Sequence, residues 1–245
     1  MNRVTIDPVW LMHIQKPARY IGGEWNSIVK DHEQIPVKVA LAFPDVYEVA
    51  MSHLGLKIIY SVLNARDDAL AERVYAPWVD MEAMMKEKHI PLFTLESKCP
   101  VKDFDVLGFT MPYEMCYTNI LNMIHMAGIP VWAKDRTDED PIVVSGGPCV
   151  YNAEPVADFF DVFFIGESEE AIGEMVDIVK AWKAEGKPGG RKEIIRRMAT
   201  IEGCYAPSLY DVSYYDNGVF RSIQPNDEAA QFPVKKRVIK DVEHV

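Results

Sequence analysis

At 245 residues, 49% hydrophobic and 26% charged, the chain is long enough for one large domain, or one domain with an appendage, around an ordinary packed core. Its net charge of −11 argues against nucleic acid or an anionic membrane as the main partner. No apolar run approaches the roughly 18 residues of a membrane helix, and the N-terminus lacks the charged-then-apolar layout of a signal peptide, so no membrane is expected and the location is expected to be cytoplasmic.

The first 35 residues do not open on a strand. Leu11 and Ile14 suggest a short helix, followed by an irregular arm through Gly22-Gly23, with Trp10, Tyr20 and Trp25 as pegs onto the main body. Val37 to Phe43 is apolar except for Lys38 and reads as a buried parallel strand ended by Pro44-Asp45. Leu56, Ile59, Tyr60 and Leu63 then fall on one helical face. Glu72 to Tyr75 reads as a second strand, Asp80 as the cap of a helix over Met81 to Lys88, and Pro91 to Leu95 as an extra short strand.

Asp105 to Met111 gives the next central strand, and Tyr113 to Ala127 a helix with Cys116, Ile120, Met123 and Ala127 on its buried stripe, closed by Gly128. Ile142 to Ser145 and Asp161 to Ile165 read as strands four and five, joined by a short crossover over 152–160. Ser168 is placed to cap a helix whose stripe is Ile172, Met175, Val176 and Val179. The alternation predicts an α/β fold: a flavodoxin-like (Rossmann-like) five-stranded parallel sheet with helices on both faces, an N-terminal helical arm and a C-terminal β-hairpin extension. After a turn-rich break at 185–190, Lys192 to Ile201 reads as a helix, and Asp216-Asn217-Gly218 as a hairpin turn between Leu209 to Tyr215 and Val219 to Ile223. Residues 226–245 are polar, with Lys235-Lys236-Arg237 expected on a solvated face.

Several chemistries are excluded by what is missing. The loop after the first strand, Phe43-Pro44-Asp45-Val46-Tyr47, has no glycine and cannot be a dinucleotide fingerprint. A Walker loop is absent, the same loop lacks the Ser, Thr and Gly of a flavodoxin phosphate loop, and a phosphorylation receiver would need an acidic partner for Asp45 and an aspartate where Thr110 stands. Cys99, Cys116, Cys149 and Cys204 are widely spaced and read as reduced buried thiols, not a metal site.

What remains is a ligand at the carboxyl ends of strands one, three, four and five. Gly146 and Gly147 let a bulky group approach the backbone or simply make a tight turn, and Gly166 repeats the feature next door. Glu167 offers a hydrogen-bonding carboxylate or is solvated. His53 reads as a pocket-lining residue rather than a metal ligand. Tyr113 and Glu114 line the pocket or begin a helix.

Pro17 to Glu24 (PARYIGGE), Phe43 to Glu48 with Met51 to Leu56, Ser145-Gly146-Gly147-Pro148, Asn152 to Pro155, and Asp158 to Asp161 leading into Gly166 to Glu170 together resemble a group of radical S-adenosylmethionine proteins whose N-terminal domain is cobalamin-binding-like. The resemblance runs along nearly the whole chain. It implies cobalamin as cofactor, with the corrinoid tail between the loops after strands one, four and five. The candidate cofactor-binding residues are Pro44, Asp45, Tyr47, His53, Gly55, Thr110, Tyr113, Ser145, Gly146, Gly147, Pro148, Gly166, Glu167 and Ser168. Met51-Ser52-His53-Leu54-Gly55 departs from the D-x-H-x-x-G of histidine-ligated corrinoids, so cobalt ligation by His53 is not implied, and no catalytic or metal residue is assigned. In that family a barrel follows, holding a [4Fe–4S] cluster on C-x-x-x-C-x-x-C and cleaving S-adenosylmethionine. No such motif occurs in this chain.

The expected division is an arm over 1–35, a cobalamin-binding-like domain over 36–187 and a helix-and-hairpin segment over 188–245 leading toward a radical S-adenosylmethionine barrel, in cis or as a separate chain. On this reading the chain is a non-catalytic fragment of a longer enzyme that binds neither the cluster nor S-adenosylmethionine itself. The alternatives are a ligand-free docking module of the same fold and, least supported for want of a nucleophile–base pair, an independent enzyme.

Overall fold

The computed structural model of the chain describes residues 3–240. Helix α1 (Pro8–Leu11) starts on the Asp7 carboxylate, which accepts from the Val9 amide at 2.9 Å. The arm is pinned by Ile14 and Tyr20, both buried, the Tyr20 hydroxyl accepting from the Trp78 amide at 2.9 Å. Trp25, expected as a further peg, is 98% exposed. It sits at the corner of a turn closed by Ser27 N–H to the Glu24 carbonyl, and it is Glu24 that turns inward, to Arg73 at 2.7 Å. Trp10 is half-buried.

Strand β1 (Val37–Phe43) is buried at every position but Lys38. After α2 (Tyr47–Ala50) come α3 (Leu54–Ala65), β2 (Ala69–Tyr75) and α4 (Val79–Glu87). Asp80 does not cap α4. The helix begins two residues earlier than expected, at Val79, with Trp78 at the cap position, and the Asp80 carboxylate accepts from the Gln15 amide at 2.6 Å, tying down the arm. Nor is 91–95 a strand. It contributes an isolated antiparallel bridge, Phe93 to Pro100, and Leu95 N–H bonds the β2 carbonyl of Arg73 at 2.8 Å. The Thr94 hydroxyl is drawn to the buried Glu72 carboxylate at 2.5 Å, so side-chain bonds hold the segment where a ladder was expected.

β3 (Val106–Thr110), α5 (Tyr117–Met126), β4 (Ile142–Gly146), β5 (Val162–Phe164), α6 (Ala171–Ala184) and α7 (Gly190–Ala199) follow. The stripes foreseen on α5 and α6 are buried: Cys116, Ile120, Met123 and Ala127 on one, Ile172, Met175, Val176 and Val179 on the other. With a sixth strand, β6 (Cys204–Tyr205), at one edge, the sheet order is β2-β1-β3-β4-β5-β6. The first five strands pair in parallel, which is the flavodoxin-like order, and the two-residue β6 adds an antiparallel edge. Right-handed crossovers place α3 against α6 on one face and α4 beside α5 on the other, where Asn122 donates to Glu82 at 3.0 Å. The hairpin β7 (Tyr210–Tyr214) and β8 (Phe220–Pro225) forms where its turn sequence predicts, as a separate two-stranded sheet.

The last described stretch departs most from expectation. Lys235 and Lys236 are exposed, but Arg237 returns to the sheet, forming a parallel bridge with Gly166 and ion pairs with Glu170 at 2.8 Å and Glu174 at 2.6 Å. An arginine bridging two carboxylates in the first turns of α6 has partners that solvent-facing lysines lack. The expectation of a polar tail over 241–245 lies outside the described residues. Among those residues, no helix is long and apolar enough to cross a membrane.

Candidate functional site

A slot of about 270 Å³ opens at the carboxyl ends of β1, β3, β4 and β5. Leu41, Gly108, Val144 and Phe164 come from the sheet, Leu56 and Ile59 from α3, and Ile172 from α6. It therefore lies on the face that α3 and α6 share. Gly108 sits mid-strand, where a side chain would meet Val144 Cγ2 at 3.5 Å and Leu41 Cδ2 at 3.7 Å, so its lack of Cβ keeps the floor low. Ile59, counted with the buried stripe of α3, is only partly buried, because it faces this slot.

The rim carries His53, Gly55, Thr110, Ser145, Gly146, Gly147, Gly166, Glu167 and Ser168, so these candidates are brought together. Their roles differ. A Cβ on Gly146 would meet only the Ser168 hydroxyl, at 3.6 Å. Gly147 has φ 107° and ψ −179°, a conformation essentially reserved for glycine, and a Cβ there would lie 3.0 Å from the Met111 carbonyl oxygen. Gly166 has φ 109°, and its Cβ would overlap the Arg237 backbone, the nitrogen lying at 2.6 Å. Only Gly146 leaves its space to a ligand, while the other two glycines admit backbone of the chain itself. Ser145 is buried and donates to the Phe109 carbonyl at 3.1 Å.

Ser168 does not cap α6 with its hydroxyl. Glu170 holds the cap position without a side-chain bond, and Ser168 gives its backbone carbonyl to the Ile172 amide at 2.8 Å. The hydroxyl stays over Gly146. Glu167 is exposed, and its carboxylate accepts the Ile239 amide.

His53 caps α3: Nδ1 accepts from the Leu56 amide at 3.1 Å. Its ring packs on Phe43 with centroids 5.0 Å apart, and Gly55 makes room, since a Cβ there would come within 3.1 Å of the imidazole. Burial lowers the histidine pKa from its ordinary value. A neutral ring whose Nδ1 accepts must carry its proton on Nε2, so this histidine offers the slot a donor, not a lone pair for a metal.

Pro44, Asp45, Tyr47, Tyr113 and Pro148 do not line the slot. The Pro44 carbonyl accepts from Asn119 at 3.0 Å. Asp45 accepts from the Tyr113 hydroxyl at 2.9 Å, which raises the phenol's pKa and ties the loop after β1 to the loop after β3. Tyr47 donates to Glu24 of the arm, with its pKa pushed up to about 12 by burial and then by that carboxylate. Pro148 opens a 3-10 turn. Sequence reasoning missed Leu41, Gly108, Val144, Phe164 and Ile172 as lining residues, because buried strand and helix positions all read as core. It also missed Arg237, whose partners lie 63 and 67 residues earlier.

A wider cleft of about 820 Å³ lies at the opposite, amino ends of β4 and β5. Its buried charged residues are engaged with one another. Arg136 and Arg191 both bind Asp161, at 3.0 and 2.5 Å, Arg196 binds Asp227 at 2.8 Å, and Asp138 accepts the Arg191 amide at the start of α7 at 2.6 Å. This end is a structural clamp joining α7 to the sheet.

The family described as "Radical SAM proteins, N-terminal" matches residues 55–207. An uncharacterized protein of Methanocaldococcus jannaschii is 28% identical over 174 residues, 70% of this chain, and the chain spans only 29% of that relative's length. Two solved structures of TsrM, a radical S-adenosylmethionine methyltransferase from Kitasatospora setae, align at 14% identity. One, with tryptophan substrate and the analogue aza-SAM bound, has a TM-score of 0.42 over 80% of this chain and 31% of its own. The other, with cobalamin and a [4Fe-4S] cluster bound, has a TM-score of 0.43 over 79% and 31%.

Proposed function

Since the chain belongs to the family of N-terminal regions of radical S-adenosylmethionine proteins, we propose that it serves as the cobalamin-binding-like accessory domain of a longer enzyme of that class. The observation that carries this reading is the open slot above Gly146, low-floored at Gly108 and walled by Leu41, Leu56, Val144, Phe164 and Ile172. At about 270 Å³ it falls just below the range of roughly 300–1,000 Å³ usual for drug-sized ligands. A flat heteroaromatic tail suits it, with a macrocycle resting on the rim. The residues that would fill the slot in a ligand-free docking module do not do so: Tyr47 and Tyr113 hydrogen-bond elsewhere, and His53 is folded back as a helix cap.

In this role the apolar walls take the tail, Gly146 allows close approach, and the Ser168 hydroxyl and His53 Nε2–H supply polar contacts. Bound cobalamin supplies a cobalt centre able to carry a methyl group. Val49, Met51, Leu54, Met115 and Tyr151, exposed apolar residues in the segments that follow β1, β3 and β4, would be covered by the macrocycle and by a barrel in cis or on a separate chain. The [4Fe–4S] cluster and S-adenosylmethionine belong to that barrel. Among the described residues no group of three His, Cys, Asp or Glu gathers to hold a metal. The units in this scheme are the arm 1–35, the binding domain 36–187 and the connecting segment 188–245.

The test is direct. The purified chain is incubated with hydroxocobalamin, desalted, and its visible spectrum recorded. Corrinoid bands that elute with the protein are expected, and bands confined to the small-molecule fraction at protein concentrations well above micromolar would refute the reading.

A further inference from the structure

We propose that Arg237 is a positioning residue for the slot, acting through a strap of chain around it that fixes the β5 rim. The strap lies along Ile165 to Glu167: Arg237 N–H donates to the Ile165 carbonyl at 2.9 Å, Glu167 N–H donates to the Arg237 carbonyl at 3.1 Å, and Ile239 N–H donates to the Glu167 carboxylate. Two glycines from separate segments close on the same residue. A Cβ on Gly166 would overlap the Arg237 backbone, and one on Gly203 would stand 3.0 Å from Arg237 Cβ and 3.2 Å from its nitrogen. Both glycines have positive φ, 109° and 87°, so this groove is shaped for one particular stretch of backbone. The side chain adds a clamp, because a single guanidinium nitrogen binds Glu170 and Glu174 at the start of α6 with the guanidinium largely buried.

The rim held this way is the one that places Ser168 over Gly146. Residues 165–169 pass from β5 to α6 without regular structure. Their backbone has the strap on one side and, through Ile165 N–H to Gly203 at 2.8 Å, the chain before β6. Releasing the strap frees Gly166 to Ser168 while β5 keeps its pairing with β4 and α6 keeps its buried stripe. Arg237 therefore sets the width of the slot at its β5 side without touching what enters it. This deepens, and for its affinity arm rests on, the corrinoid-tail reading.

The experiment compares the full chain with its Arg237→Ala, Arg237→Lys and Gly166→Ala variants, by amide hydrogen exchange and by hydroxocobalamin titration. Arg237→Ala is expected to speed exchange at Glu167 and Ser168 while leaving α3 amides and Tm unchanged, and to weaken hydroxocobalamin binding by roughly tenfold, the factor that corresponds to about 1.4 kcal/mol. Arg237→Lys should fall between, because lysine keeps the charge but carries it on a more strongly hydrated head at the end of a flexible stem. Gly166→Ala, which dislodges the strap backbone itself, should reproduce the loss. Unchanged exchange at 166–168 in both Arg237→Ala and Gly166→Ala would overturn the proposal, as would faster exchange with undiminished binding. If the wild-type chain itself fails to bind hydroxocobalamin, the corrinoid reading falls, and the exchange arm alone decides whether Arg237 holds the rim.

Discussion

At the amino ends of β4 and β5 the protein has a wide cleft of about 820 Å³, and at the carboxyl ends of β1, β3, β4 and β5 a slot of about 270 Å³. The buried charges of the larger one pair with each other: Asp161 accepts from Arg136, from Arg191 and from the Val143 amide at 2.7 Å. Burial there pulls the Arg136 pKa down, against the carboxylate that raises it. The smaller one is apolar at its floor and has a glycine with open space in front of it. Volume alone does not locate a binding site. The cleft whose buried charges already pair within the chain is architecture, and the slot that leaves apolar surface open above a glycine is the candidate for a ligand.

If the two ends have these separate roles, substitutions should split stability from binding. The largest loss is expected from Asp161→Ala, which strands two buried guanidinium groups. Breaking such a cluster costs about 3–5 kcal/mol, readable as a fall in the urea midpoint, with hydroxocobalamin affinity of the remaining folded protein unchanged. A parallel fall in affinity would show that the ends are coupled. Next comes Gly147→Ala, with φ 107° and the Met111 backbone 3.0 Å from the new methyl group. Strain of this kind costs about 1–3 kcal/mol, so Tm should drop. A variant as stable as wild type would show that β4 and β3 can separate at their exits.

His53 sharpens the comparison through pH. Its folded pKa is lowered by burial, so the neutral ring is the native form. The associated stability is present above the unfolded-chain value of about 6.5 and is lost as pH falls through it toward the lowered folded value. Protonation also turns Nδ1 from acceptor to donor and removes the α3 cap, a contact worth about 1 kcal/mol. Denaturation curves between pH 7.5 and 5 should therefore show a slope that His53→Asn, a cap that does not titrate, reduces. An identical slope in both proteins would assign it to other groups. The smallest effect on stability is expected from Gly146→Ala. Its methyl would sit at ordinary contact distance, 3.6 Å from Ser168, and ΔΔG should stay within about 0.5 kcal/mol.

The sheet was legible because its signals are local. The run Val37 to Phe43, the stripes on α5 and α6, and the Asp216-Asn217-Gly218 turn each declare an element within a dozen residues, and alternation orders the strands. The strand-end glycines were legible as a group but not individually. Gly146, Gly147 and Gly166 look alike in sequence, and only the positions of Met111 and Arg237 in space separate one that faces a cavity from two that face backbone. Asp161 with Arg136 and Arg191 could not be foreseen, since its partners lie 25 and 30 residues away. The basic run at 235–237 was misread for the same reason: two of its residues are solvated and the third closes a contact with α6. Caps were misplaced by a residue or more at Asp80 and Ser168, where a carboxylate tethers the arm and a hydroxyl turns to the slot.

The central claim, that the space above Gly146 receives the tail of a corrinoid, is tested most directly by the hydroxocobalamin dissociation constant of Gly146→Leu beside that of the wild-type chain. A Cβ at this position would meet only the Ser168 hydroxyl, at 3.6 Å. Binding by the wild type is expected, with a loss of at least about a hundredfold, roughly 2.7 kcal/mol, in the variant, at a Tm close to wild type. Equal affinity in the two proteins, or no measurable affinity in the wild type, would contradict the claim.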